Sequence, residues 1–558
     1  MPIIQFFCVI LIVTLTIYTY GTFLTLKIIN DNILYKVSLS TIFGGIVISL
    51  IILIINFFSP FNKFIGNTFL FVSIIYFLII FLKEKKKIKL IKSILIIASI
   101  SSLLLLYENI NRPDAGLYHI PYIQIIHENK ILLGISNIHF RFGHVSIIQY
   151  LSAAYNNSFM PIETLSVPLS VMMSSFYLLL ISYLYKNKNF KQKDFFIFLI
   201  TIYTFYSFNR FSAFGNDSLS HMFFFLFLIK IFDLNLNNID AENLGNLSII
   251  STFAFLQKTF MIFLLVIVFY FYLKSNVKKF KFLVNYKFLI SFIFLSLWFL
   301  KNIFITGCIL YPISNSCFTS FVQTDIETTQ QVAENSEAWA KDWSNSDNSV
   351  KIVDYNKNFN WIYTWSNNHL IKIIKKLFPY ILLFLIFYLF CLYNFKNQKN
   401  RIEISRNIHF ITLICLFLSL VWLLKFPLYR YGQSFLSGFL ICLIFLLFAK
   451  TIKLEKIKKN VSFFLVITIL LVTSKNILRI YDNYDYKNIW PNIYTLSELK
   501  VDNYKKDLNS INKDNKFIYF YSNGDECLYN KSPCSNYKFN NISKKKNMGM
   551  KIFFKTKN

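Results

Sequence analysis

The chain is a succession of apolar blocks separated by short polar stretches. The blocks lie near 3–26, 37–58, 67–82, 93–107, 162–185, 194–209, 218–234, 246–273, 288–306, 377–394, 408–424, 434–449 and 461–474. Most have the length of a membrane helix, since about 20 residues cross a hydrocarbon core of about 30 Å. Apolar residues surround each block instead of forming one stripe, so each helix meets lipid or other helices on all sides. The pattern predicts an all-α polytopic membrane protein of about 12–14 transmembrane helices.

Composition agrees. Of 558 residues, 55% are hydrophobic and 19% aromatic, and mean hydropathy is +0.48. Soluble domains stay near about half apolar. The opening MPIIQFFCVILIVTLTIYTY has no basic n-region and no small-residue cleavage site, so it reads as a retained helix, not a signal peptide.

The net charge of +30 raises nucleic-acid binding as a function class. The distribution of the charge argues against it. Basic runs occur at 83–92, 186–193, 274–287, 396–406 and 450–459, at alternate ends of the apolar blocks. Short loops rich in Lys and Arg stay cytoplasmic, so the charge mainly encodes orientation. A Lys-, Asn-, Ile- and Phe-rich composition of the kind an AT-rich genome gives accounts for part of the excess. No nucleic-acid partner is expected; membrane lipids are.

Parity then puts 108–161, 209–221, 307–376, 425–432 and everything after about 475 on the other, exterior side. The block 246–273 begins and ends at interior loops. It reads best as two short helices in a hairpin with Gln257 and Lys258 at its tip, because polar groups at that depth are tolerated beside a water-filled cavity. The alternative is one helix with misplaced flanking charges. Three regions follow: added helices over 1–82, a membrane core over 83–474, and an exterior tail over 475–558. In the tail, KFIYFY and MKIFFK have strand composition, which predicts a small α/β or β-rich cap. Cys308 with Cys317, and Cys527 with Cys534, fall outside and are disulfide candidates. Cys8, Cys391, Cys415 and Cys442 lie in apolar helices and read as packing groups.

The unusual polar residues gather on the exterior side. NRPDAGLYHIPY presents Asp114, Tyr118 and His119 just past an outward helix. It opens an amphipathic stretch expected to lie on the bilayer surface, followed by a second one introduced by Arg141 and His144. NRFSAFGNDSLSH contributes Asn216, Asp217 and His221; the plain role of Asp217 is to cap the next helix. Lys258, Lys301, Lys425 and Arg430 lie near outer helix ends, where cations commonly snorkel to headgroups. Several on one face also suit a phosphate, Arg especially through its bidentate geometry. His119, His127, His139 and His144 lack tight ligand spacing, so no metal and no cofactor is expected.

A carboxylate after an outward helix, followed by two amphipathic stretches, resembles the first exterior loop of the GT-C superfamily of integral-membrane glycosyltransferases. FLKNIFITGCILYP is similar to a "KN…TGNPLYP" stretch of bacterial members, with Cys308 in place of the usual Asn. FPLYRYG resembles their late Pro-and-Arg turn, and LSIISTFAFLQKTFMIFLL their hairpin. GDECLYNKSPCSNY is similar to a Cys-containing end found in relatives from surface-polysaccharide clusters. The resemblance covers about 90–530 and leaves out the first three helices. It implies a GT-C-like fold in a bacterial cytoplasmic membrane and a polyprenyl-phosphate sugar donor. The acceptor would be a glycan or lipid hydroxyl, and the sugar transfer inverting. Asp114 takes the catalytic position, where the family often has an acidic pair and this chain has Pro113 as the neighbour. Tyr118, His119, Arg141, His144, Asn216, Asp217 and His221 would then meet the acceptor, and Lys258, Lys301, Lys425 and Arg430 the lipid phosphate. The rival readings are a polymerase or ligase acting on a lipid-diphosphate glycan and, in a different class, a lipid or polysaccharide transporter. The second predicts internal repeats, which the sequence lacks.

Overall fold

The computed structural model describes residues 2–25, 32–107, 114–160, 162–186, 190–211, 217–236, 239–275, 285–346, 350–394, 404–451, 454–482, 509–513, 516–522, 526–529, 531–539, 541–547 and 550–556. Every apolar block carries helix. The first eleven helices are α1 Pro2–Thr25, α2 Ile33–Phe58, α3 Lys63–Lys83, α4 Lys87–Leu106, α5 Ile120–Glu128, α6 Ile147–Ala153, α7 Val167–Lys186, α8 Gln192–Ser207, α9 Asp217–Phe232, α10 Ala241–Gln257 and α11 Ile262–Lys274. They are followed by α12 Tyr286–Thr306, α13 Ile326–Ala340, α14 Ile371–Asn394, α15 Arg406–Lys425, α16 Tyr429–Thr451 and α17 Leu454–Asp482. Among the described residues, 10 helices are long and apolar enough to span a membrane. α8, α9, α10 and α11 are shorter, at 16, 16, 17 and 13 residues. The chain is a multi-pass helical membrane protein.

Contacts at the two ends of the bundle bear out the alternation. At the basic-loop end, Lys36 pairs with Glu84 (3.7 Å), Lys193 with Asp233 (2.5 Å), and Asn285 Nδ2 donates to Ala241 O (2.9 Å). At the opposite end, Asn56 Nδ2 donates to Asn129 O (3.0 Å), Tyr107 meets Thr473 (3.1 Å), and Trp365 Nε1 donates to Pro427 O (2.7 Å). The block 246–273 breaks at Lys258, as the hairpin reading expects. α10 ends there with the backbone extended (φ −144°, ψ 122°). α11 returns along α15, with Phe263 against Phe417 and Phe271 against Phe410.

Small residues set the closest helix approach. A Cβ on Gly44 of α2 would stand 1.8 Å from Ile17 O of α1, and one on Gly21 of α1 would stand 1.6 Å from Ser40 O. Glycine lets the two backbones meet there, the usual device for helix contact in lipid. α1 and α2 share one buried core with α4 and α7.

Two expectations need correction. α17 runs to Asp482, so the tail starts later than 475. Its described residues form strands alone: β1 Asn509–Lys513, β2 Lys516–Tyr521 and β3 Cys534–Ser535 in one sheet, and the hairpin β4 Ile542–Asn547 with β5 Met550–Lys555. β1 and β2 are antiparallel, and β3 joins β2 in parallel. Both predicted disulfides are present, Cys308–Cys317 and Cys527–Cys534.

The second correction concerns the stretch after Asp114. It does not lie on the bilayer surface. Ile120 to His127 are all buried, packed against α6 (Tyr122 OH meets Tyr150 OH at 3.1 Å, and His127 Nε2 lies 3.0 Å from Ala153 O) and flanked by the tail. Leu528 N donates to Gly116 O (2.9 Å), Tyr529 OH meets His127 Nδ1 (2.8 Å), and Ser532 Oγ donates to Glu128 (2.7 Å). Further on, Phe553 N donates to Leu133 O (2.9 Å). α6, strand backbone and polar tail groups thus replace the lipid that the apolar pattern alone suggests.

A candidate active site at the end of the bundle opposite the basic loops

Asp114 stands at the start of a π-helical turn, Ala115–His119, that leads into α5. Its Oδ1 pairs with Arg141 Nη1 at 3.0 Å and its Oδ2 with Arg430 Nη1 at 3.8 Å. These residues come from distant parts of the chain: the loop before α5, the 3-10 turn Phe140–His144, and the first turn of α16. A second pair lies beside them. Asp217, at the first turn of α9, meets Lys258 Nζ at 2.6 Å, and Lys258 lies 5.6 Å from the Tyr431 ring. Arg430 rests on Tyr431 (4.9 Å) and Trp339 (5.3 Å), and Arg141 on Tyr118 (5.1 Å).

The arrangement is a recess. The Asp114, Arg141 and Arg430 side chains keep 39%, 37% and 44% exposure, and Asp217 and Lys258 about a quarter, although aromatic rings flank all three cations. Ion pairs as exposed as those of Asp114 hold groups in place but contribute little to stability. Among these five residues two carboxylates face three cations, a balance that suits an anionic ligand.

α13 comes from the acidic segment 321–360, to which composition gave no role. Asp325 caps it through Thr328 N (2.9 Å) and pairs with Lys555 of β5 (2.8 Å). Glu337 near its other end holds Lys341 (2.6 Å) and Lys425 (3.6 Å). This fixes Trp339 against Arg430. The sequence reading missed Trp339, Tyr431 and Glu337. Tyr431 lies within the FPLYRYG motif, and it was the one with a legible signal.

The other predicted site residues divide as follows. Tyr118 and Arg141 belong to the recess. His119 is buried, hydrogen-bonded to Gln149, and burial first and Lys258 second bring its pKa down to about 3, so it is neutral. His144 stays exposed on one side and packs on Tyr311 (4.9 Å); Gly143 leaves room for that ring. Lys425 joins through Glu337. His221 does not face a substrate: it is fully buried, with Nδ1 to Ser434 Oγ and Nε2 to Arg430 O, both 2.8 Å. Nε2–H must donate to that carbonyl, so His221 positions the first turn of α16 and with it Arg430. Lys301 is also fully buried, with its Nζ over Trp298 (3.6 Å), and forms no ion pair with a described residue. Asn216 lies outside the described residues. No three His, Cys, Asp or Glu side chains among the described residues come together as a metal site.

A family model, the domain of unknown function DUF8201, matches residues 3–437. The chain belongs to this family. The matched span takes in the first three helices and every member of the recess, Asp114, Arg141, Asp217, Lys258 and Arg430, and it stops before the tail. No curated protein and no solved structure matches the chain.

Proposed function

We propose that the chain is a GT-C-like inverting glycosyltransferase. It would move a sugar from a polyprenyl-phosphate donor to a hydroxyl of a surface glycan or lipid, on the exterior face of a bacterial cytoplasmic membrane. The observation that carries the reading is Asp114 held between Arg141 and Arg430 in a recess of three cations and two carboxylates at the end away from the basic loops. A sugar-phosphate headgroup needs cations for the phosphate and a carboxylate for the incoming hydroxyl, and both are within reach of one ligand.

The chemistry uses this chain's residues as follows. The donor phosphate takes Arg430 from Asp114 and also meets Lys258. The acceptor oxygen bonds to the anomeric carbon while its proton passes to the freed Asp114 carboxylate. The bond from that carbon to the phosphate oxygen breaks, and its electron pair stays on the phosphate. The leaving group is already a stable anion, so charge stabilisation by Arg430 and Lys258 matters more than a general acid. One direct displacement inverts the anomeric centre.

The test is transfer of labelled sugar in membranes containing the overproduced chain, supplied with a panel of polyprenyl-phosphate hexoses and pentoses. Asp114→Asn is expected to lower kcat by about 10²–10⁴. Arg430→Ala is expected to raise the donor KM at least about tenfold, the loss of one charge-assisted hydrogen bond. Transfer unchanged in both variants, or absent with every donor in the wild type, contradicts the reading.

A further inference from the structure

The turn that begins at Asp114 lacks one of its own hydrogen-bond donors. In a π-helical turn each carbonyl accepts from the N–H five residues on. Ala115 O accepts from Ile120 N in this way. The next donor would belong to Pro121, which has no N–H. The turn therefore leaves Gly116 O unserved, and Leu528 N of the tail takes the place at 2.9 Å. The contact is close. A Cβ on Gly116 would stand 1.9 Å from Glu526 Oε2 and 2.7 Å from Leu528 Cδ2. Leu528 reaches the carbonyl with φ at +50°, a left-handed conformation that a leucine keeps only when its surroundings hold it there.

The Cys527–Cys534 disulfide closes a short loop around Leu528, and both cysteines are buried. Within this loop Tyr529 meets His127 and Ser532 meets Glu128, at the far end of α5 (2.8 and 2.7 Å). Past the disulfide, Tyr537 packs on His139 at 5.7 Å. His139 Nδ1 accepts from Arg141 N (3.1 Å). One arm of the tail thus acts two residues from Asp114 and the other two residues from Arg141, and those two side chains meet at 3.0 Å. Tyr118, against which Arg141 rests, lies in the same π-helical turn. The disulfide joins the two arms.

We propose that the Cys527–Cys534 loop is a positioning device for Asp114, acting through Leu528. Opening the disulfide lets Leu528 leave the left-handed region. Its N–H then withdraws from Gly116 O, and the turn that aims the Asp114 carboxylate at Arg141 and Arg430 loosens. The recess charges lie within the family span 3–437, and this brace lies beyond it. A misplacement of about 1 Å can cost about a hundredfold in rate. The effect of the loop on sugar transfer rests on the function proposed above; its effect on the turn does not.

The experiment opens the loop with the double variant Cys527→Ser, Cys534→Ser in full-length protein in nanodiscs. Pro121→Ala is then added to the closed and the open form. Hydrogen exchange over 115–120 should be about tenfold faster in the open form, with exchange in α2 unchanged. With Pro121→Ala, residue 121 can donate to Gly116 O from within the turn, so most of the difference between the two forms should vanish. A loop that only stabilised the tail would show no such rescue. In transfer, the open form should lose about tenfold or more in kcat while the donor KM stays within about twofold. Equal exchange in the two forms, or a difference that Pro121→Ala leaves intact, overturns the device. Faster exchange with kcat unchanged overturns its part in positioning Asp114. Wild type that transfers from no donor overturns the proposed function instead, and the exchange result alone then decides the device. If the open form does not fold, Leu528→Pro, which keeps both cysteines and removes the donor, takes its place.

Discussion

Asp114 is held by two arginines and Asp217 by one lysine, and the two groups differ in what a substitution should reveal. Lys258→Met leaves Asp217 charged and without its partner, one-quarter exposed. We expect a loss of about 1–3 kcal/mol of stability, below the cost for a fully buried pair. Adding Asp217→Asn should restore most of it, and thermal unfolding of the single and double variants measures the coupling. Equal losses in the Lys258→Met and double variants would mean that Lys258 supports the fold by some other route. At this scale the sequence was legible in part. Asp114, Arg141, Asp217, Lys258 and Arg430 stand out because each is a charge beside a long apolar block. Their pairing does not, since 27 and 316 residues separate Asp114 from its two arginines. Lys301 and His221 carry the same kind of signal yet face protein, because burial is a property of packing and not of residue type.

At the scale of elements, the apolar pattern specified the membrane helices well, including the break at Lys258, where a polar pair interrupts an otherwise continuous run. It failed for α5, whose buried face is completed by a tail some 400 residues away, a partner that no local pattern reports. That contact should depend on pH. His127 accepts from Tyr529 and donates to Ala153 O, and burial pushes its pKa down to about 4 from 6.5. The unfolded state therefore binds the extra proton first, and stability present above about pH 6.5 is lost as pH falls toward 4. Hydrogen exchange at 120–128 should accelerate over that window, and His127→Gln should flatten the dependence. A rate independent of pH after correction for intrinsic exchange would contradict the tie. The α1–α2 crossing is a sharper packing test. Gly44→Ala places a methyl 1.8 Å from a backbone oxygen and is expected to cost about 1–3 kcal/mol, read as a lower Tm. An unchanged Tm would show that the helices do not approach so closely.

For the whole molecule, one physical arrangement organises the rest. Basic loops gather at one end of the bundle, the helices bring distant charges to its other end, and α13 and the tail cover that end. The helical character of each apolar block, and the gathering of basic loops at one end, were readable because lipid imposes length and charge rules on each segment separately. The roof was not, because α13 is polar and its place is fixed by ion pairs to Lys425 and Lys555. Single cysteines at Asp114, Asp217 and Arg430 should react with an impermeant maleimide from one side of the membrane, and one at Lys85 from the other. Reaction from opposite sides for any two of the first three would break the shared recess. The most direct test of the account is the surface-glycan profile of a strain carrying Asp114→Asn at normal expression. Disappearance of one sugar linkage, with the chain still in the membrane, is the result predicted; a glycan indistinguishable from wild type contradicts it.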